Sequence, residues 1–241
     1  IQVYKNDTKE RSMEKLWYLS QIKLFNHLTK DDMGQINNMT HMSTIPKNTI
    51  VQTPFSQPKG LYLVKEGKLR LYNLNSEGKQ YTIGIIGHGN TFGNTSLFSL
   101  GTQNIYIETL EDTLICLFDP KQLEDYLLSR PQLLMNILGH LSQKIEEQNK
   151  MLEQLALYDI KQRTLYWLRK LANDFGLDTG EYITIDLPLS HQELANMIGS
   201  TRESVSLILS ELSQEGIILS GRLKISISKS KLAMEDGIYE I

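Results

Sequence analysis

The chain has 241 residues, 40% of them hydrophobic and 22% charged, with a formal net charge of −3. Such a length favours two domains, each able to bury a core, and the composition is that of a globular protein. The charge excludes a uniformly basic nucleic-acid coat but not a local basic face, and the single cysteine, Cys116, excludes an internal disulfide and any iron–sulfur or zinc site built from cysteines alone.

No apolar run approaches the ~20 residues of a membrane span, and no charged-then-apolar leader opens the chain. A cytoplasmic protein with no membrane partner is expected. Residues 1 to 40 read as a polar helical arm anchored by Leu16, Trp17, Leu19, Ile22, Leu24 and Phe25, with a second helix start at Thr29-Lys30-Asp31-Asp32.

From residue 44 to 118 the apolar period becomes two: Leu61 and Leu63, then Leu69 and Leu71, then Ile105 and Ile107, then Leu114, Cys116 and Phe118. Turn residues such as Pro46-Lys47-Asn48, Glu66-Gly67-Lys68 and Gly87-His88-Gly89-Asn90 punctuate these runs at short intervals. Many short strands joined by glycine turns predict an antiparallel barrel or jelly roll, with Cys116 a buried, inert thiol.

After Arg130-Pro131 the pattern becomes a heptad. Leu134, Leu138, Leu141, Ile145, Gln148, Leu152 and Leu155 follow in alternating steps of four and three, the seam of a coiled coil between two copies of the chain. Their neighbours Lys144, Glu146, Glu147, Lys150 and Glu153 are polar and leave only a narrow stripe, and Gln148 in that stripe would fix register.

Residues 159 to 176 predict another helix. Beyond it, Ser190 precedes Glu193 by three residues and Ser200 precedes Glu203 by three, which writes two capping boxes and hence two helix starts ten residues apart. Gly199 ends the first helix without strain. In the second, Val205, Ile208, Leu209 and Leu212 form the apolar face, and Thr201, Arg202, Glu203, Ser204 and Ser206 point away from the core. A short helix presenting polar side chains at its N-terminal end suits the DNA major groove. Residues 216–219 and 223–227 flank Ser220-Gly221-Arg222 as a hairpin, so a wing completes a winged helix-turn-helix.

This order resembles that of the CRP/FNR family of bacterial transcription regulators over residues 20 to 230. The resemblance is carried by Leu61-Tyr62-Leu63-Val64-Lys65-Glu66-Gly67-Lys68-Leu69, by Gly89-Asn90-Thr91-Phe92-Gly93 at the phosphate-cassette position, and by Ser200-Thr201-Arg202-Glu203-Ser204-Val205. It implies an α+β architecture in three parts: an N-terminal arm with a cyclic-nucleotide-binding-like β-barrel sensor (1–129), a dimerisation helix (130–158) and a winged helix-turn-helix (159–241). It assigns base reading to Arg202 and Glu203, joined by Ser206 on the same helix, and phosphate contacts to Ser190, His191, Gln192, Thr201 and Ser204.

The departures from the family are informative. Leu207 stands where its cAMP-binding members add a second arginine, so the operator differs at the bases which that arginine reads. In the barrel the effector-pocket positions are Gly93, Asn94, Thr95, Gln103 and Asn104, where cAMP binders carry a glutamate after the glycine and an arginine–serine pair further on. A phosphate without a cation lacks its strongest contacts, so cAMP does not fit. The cysteine cluster of the oxygen-sensing branch is absent, and His27, His41, His88, His140 and His191 show no metal-ligand spacing, which disfavours haem and any metal site.

The expected function is therefore a homodimeric, sequence-specific regulator of double-stranded DNA with a palindromic operator, an unidentified effector and RNA polymerase as a further partner. An effector-independent regulator controlled by abundance or a protein partner is the competing reading. A cupin-type enzyme barrel is a third, disfavoured because no His-x-His occurs.

Overall fold

The computed structural model describes residues 34–36, 38–56 and 59–231. The expected N-terminal arm with its anchors, the helix start at Thr29 and His27 lie outside the described residues. Two compact units emerge, one containing residues up to 75 with 83–147, the other 76–82 with the residues from 148 onward.

The strands up to residue 118 are β1 (Thr40–Ile45), β2 (Ile50–Gln52), β3 (Gly60–Glu66), β4 (Leu69–Leu74), β5 (Gln80–Ile86), β6 (Thr91–Asn94), β7 (Tyr106–Thr109) and β8 (Thr113–Phe118). They form two antiparallel four-stranded sheets ordered β1-β8-β3-β6 and β2-β7-β4-β5. The expected α+β architecture, with its jelly roll followed by helices and a winged helix-turn-helix, is the one observed.

Strand β3 is buried on both faces, a departure from the simple alternation read from the sequence. Tyr62 and Val64 pack with Leu69, Leu71, Phe92 and Ile107, Tyr62 lying on Phe92 with ring centroids 4.9 Å apart. Leu61 and Leu63 instead join Cys116, Phe118, Leu123, Leu127, Leu133 and Ile137, supplied by β8 and the helices that follow. Because both faces of β3 are covered, its apolar run is nearly continuous, as two-sided burial requires.

Helix α1 (Pro120–Leu128) begins where the Asp119 carboxylate accepts from the Gln122 N–H at 2.8 Å and Pro120 fills the first helical position. Helix α2 (Pro131–Leu157) is 27 residues long. Its buried residues are Leu133 and Ile137, one position away from the heptad stripe. Of that stripe, Leu134 and Leu141 pack in part on the same cluster. No helix among the described residues is long and apolar enough to cross a membrane.

The second unit contains α3 (Ile160–Phe175), β9 (Gly176–Asp178), β10 (Tyr182–Ile185), α4 (His191–Ile198), α5 (Arg202–Gln214), β11 (Ile218–Gly221) and β12 (Lys224–Ser228). Asp159 and Gln162 form a reciprocal capping box at the start of α3. The expected hairpin is β11–β12, but the sheet runs on as β11-β12-β10-β9. The alternation of Tyr182-Ile183-Thr184-Ile185 is the signal for the extra strand, and the Thr184 and Ser226 hydroxyls join β10 to β12 at 2.8 Å. Leu165, Leu168, Leu171, Leu194, Ile198, Val205, Leu209, Leu212, Ile225 and Ile227 are buried in this unit.

Candidate nucleic-acid interface

Helix α4 starts as the sequence predicts. The Ser190 hydroxyl accepts from the Glu193 N–H at 3.1 Å, and the Glu193 carboxylate accepts from the Ser190 N–H at 3.3 Å. It ends at Gly199, whose φ of 68° and ψ of 39° are left-handed, the conformation in which a helix closes without a Cβ penalty. The Ser200 N–H then donates to the Ala195 carbonyl at 3.0 Å.

That last bond corrects the second capping box. With Ser200 used to close α4, the chain becomes extended one residue later, and Thr201 caps α5 by accepting from the Ser204 N–H at 3.2 Å. The expected Ser200–Glu203 box is replaced by a Thr201 cap, and Glu203 lies in the first turn, where its charge favours the helix dipole.

Helix α5 buries Val205, Leu209 and Leu212. Arg202, Glu203, Leu207, Ser210 and Gln214 are exposed, so the two expected base readers stand free of the core at the N-terminal end. The remaining expected contacts sit around them. Thr201 is exposed, and its hydroxyl meets that of Ser204 at 2.9 Å. Gln192 is exposed and donates to Asn196 Oδ1 at 2.9 Å.

Ser206 differs from its expected place. Its hydroxyl donates to the Arg202 carbonyl at 2.8 Å and meets His191 Nδ1 at 2.8 Å. The Ser206 hydroxyl bridges His191, the first residue of α4, and the backbone of α5. Ser206 is thus turned toward α4 rather than outward. Both residues line a groove of about 370 Å³ with Leu209, Ser210, Ser213, Gln214 and, from the wing, Ser220. At the wing tip Arg222 and Lys224 are exposed, a basic pair that the sequence reading passed over although Arg222 lay in its hairpin.

The α2 stripe leaves Leu138 55%, Ile145 58% and Leu152 64% exposed, with Gln148 and Leu155 exposed as well. An apolar row of this kind on a single chain is surface that water covers unfavourably.

In the barrel, the five effector-pocket positions divide. Gly93 is buried with a φ of 108°, and a Cβ there would run into the Gly60 carbonyl of β3. Its N–H donates to the Thr102 hydroxyl at 2.9 Å. Asn94 follows it at the end of β6, and the Thr95 hydroxyl accepts from the Leu97 and Phe98 N–H groups, closing its own turn. Gln103 and Asn104 are exposed in the turn before β7. The sequence reading missed two residues beside this segment, Thr102 and Lys144. Lys144 reaches from α2 to donate to the Leu100 carbonyl at 2.9 Å, and burial pulls its pKa below the ordinary lysine value against the opposing pull of Glu147. Their partners are distant in sequence or in the backbone, which no local pattern displays.

A double-sheet barrel, a long helix and a winged helix-turn-helix define a class of DNA-binding regulators with an N-terminal sensor-like domain. Comparison with known proteins makes the class specific. Residues 43–130 match the cyclic nucleotide-binding domain and residues 162–231 the Crp-like helix-turn-helix domain. The global nitrogen regulator of Nostoc sp. is 30% identical over 190 residues, covering 78% of this chain and 85% of that protein. The cyclic AMP receptor protein of Thermus thermophilus is 33% identical over 181 residues, covering 73% and 79%. A solved CooA variant from Carboxydothermus hydrogenoformans superposes with a TM-score of 0.67 at 26% identity, over 82% of this chain and 88% of that one. The chain belongs to the CRP/FNR family of transcription regulators, and its C-terminal unit carries that family's DNA-binding helix-turn-helix.

Proposed function

We propose that the protein acts as a cytoplasmic homodimer that reads a two-fold symmetric operator through α5, with Arg202 and Glu203 contacting bases. The carrying observation is the exposure of both side chains at the N-terminal end of α5, opposite its buried face. The arginine fork suits guanine O6 and N7, and the carboxylate suits a cytosine amino group. His191, Gln192, Ser190, Thr201 and Ser204 set register on phosphates, with Arg222 and Lys224 adding cations from the wing. Ser206 holds His191 rather than reading a base. Exposed Leu138, Ile145 and Leu152 support the dimer through α2.

Cyclic AMP is not the effector in this reading. The residues from Gly93 to Ile105 include no lysine or arginine, Gln103 and Asn104 face solvent, and stacked Tyr62 and Phe92 fill barrel space. The barrel either takes a different signal or leaves the dimer constitutively competent, and RNA polymerase is a further partner for activation. Selection of bound duplexes from a random pool tests the DNA reading. It is expected to return an inverted repeat whose half-sites lie about one DNA turn, ~34 Å, apart. Recovery of unrelated sequences, or of single half-sites alone, overturns it.

A further inference from the structure

We infer that Leu207 is a specificity-determining residue that selects thymine in each half-site through its 5-methyl group. The inference rests on the proposed docking of α5 in the major groove and deepens it. Leu207 is 68% exposed, although α5 has a buried face at Val205, Leu209 and Leu212 that would accept a leucine. Glu203, Leu207, Ser210 and Gln214 recur in steps of four, three and four along the opposite, outermost face. Leu207 lies one turn beyond Glu203, so a helix that sets Glu203 against a base edge carries the isobutyl group toward a neighbouring pair.

What that group can read follows from its chemistry. Adenine and guanine offer N7, with an amino group or O6, and cytosine offers its amino group; all need hydrogen-bonding partners or water. An isobutyl group laid over them strips the water and returns nothing, leaving a polar group unsatisfied. Thymine alone presents an apolar methyl in the major groove. A single exposed leucine on a protein surface calls for no explanation; this one is set in a row of polar residues on the groove-facing side of the reading helix, where contact with methyl groups is the only recognition it can offer. The leucine thus replaces one kind of base reading with another.

The test uses the operator recovered by selection and replaces each thymine in turn by deoxyuridine, which removes the methyl and changes no hydrogen-bonding group. The full-length dimer is expected to lose about fourfold in affinity at one thymine per half-site, the worth of one buried methyl. The Leu207→Ala variant, at a position outside the core, is expected to fold with unchanged thermal stability, to bind the thymine and deoxyuridine operators equally and to keep the wild-type preferences at the Arg202 and Glu203 base pairs. Wild type indifferent to every thymine methyl, or an alanine variant that keeps the same discrimination, overturns the inference while leaving the DNA reading intact. Failure of wild type to prefer any sequence overturns both.

Discussion

His191 Nδ1 lies 2.8 Å from the Ser206 hydroxyl, which in turn donates to the Arg202 carbonyl. These contacts join the N-terminus of α4 to the first turn of α5. Ser206→Ala removes the hydroxyl that meets His191 and leaves the side chains of Arg202 and Glu203, the proposed base readers, in place. Operator affinity is expected to fall about fivefold, the worth of one hydrogen bond near 1 kcal/mol, equally on matched and singly mismatched operators. A change in base preference instead would restore Ser206 as a base reader.

Gly199 links the motif to the end of α2. Its left-handed backbone is strained for a residue with a Cβ, and the position a Cβ would take lies 3.4 Å from the Leu155 Cδ2 methyl. Gly199→Ala is expected to destabilise the protein by roughly 1–2 kcal/mol through the backbone alone. Gly199→Asn should lose less, because asparagine accepts this conformation more readily. Urea unfolding of the two variants measures the order, and alanine proving as stable as asparagine contradicts the backbone account.

The exposed stripe on α2 predicts an oligomeric state. Ile145 and Leu152 are more than half exposed, so Ile145→Asp with Leu152→Asp should leave the monomer fold unaffected. It should convert a dimer to a monomer in sedimentation equilibrium, because paired carboxylates in a coiled-coil seam meet their own copies across the axis. A wild type already monomeric at micromolar concentration would remove the seam from the account.

Lys144 predicts an alkaline pH dependence. Burial lowers its pKa below 10.5 in the folded chain. Between that lowered value and 10.5 the unfolded chain holds a proton that the folded chain has released, so stability rises with pH across this window. Wild type is therefore expected to gain stability relative to Lys144→Met as pH increases toward 10.5. Parallel stability curves for the two proteins would contradict the buried ammonium.

Much of the fold was legible because its signals are local. The Ser190–Glu193 box, Gly199 and the apolar spacing of Val205, Leu209 and Leu212 each act within a turn or two, and all three stand as read. The cap of α5 was misread by one residue because two serine-like positions compete, and the Ser200 N–H was already committed to closing α4. On α2 two apolar rows run side by side. The heptad row was visible, whereas Leu133 and Ile137 became significant only once the barrel face that they cover was in place. The Ser206 contact with His191 was not legible for a similar reason, since the two residues are fifteen apart and on different helices. Lys144 and Leu100 are paired across 44 residues, a contact that periodicity does not encode.

In the proposed function Arg202 reads one base pair in each half-site of a symmetric operator. Binding titrations of wild type and Arg202→Ala on the selected operator, and on every single-base change within it, test this role. The variant is expected to lose about 1–3 kcal/mol on the matched operator and to become indifferent at one base pair per half-site. Retention of the full wild-type preference at every position would contradict the account.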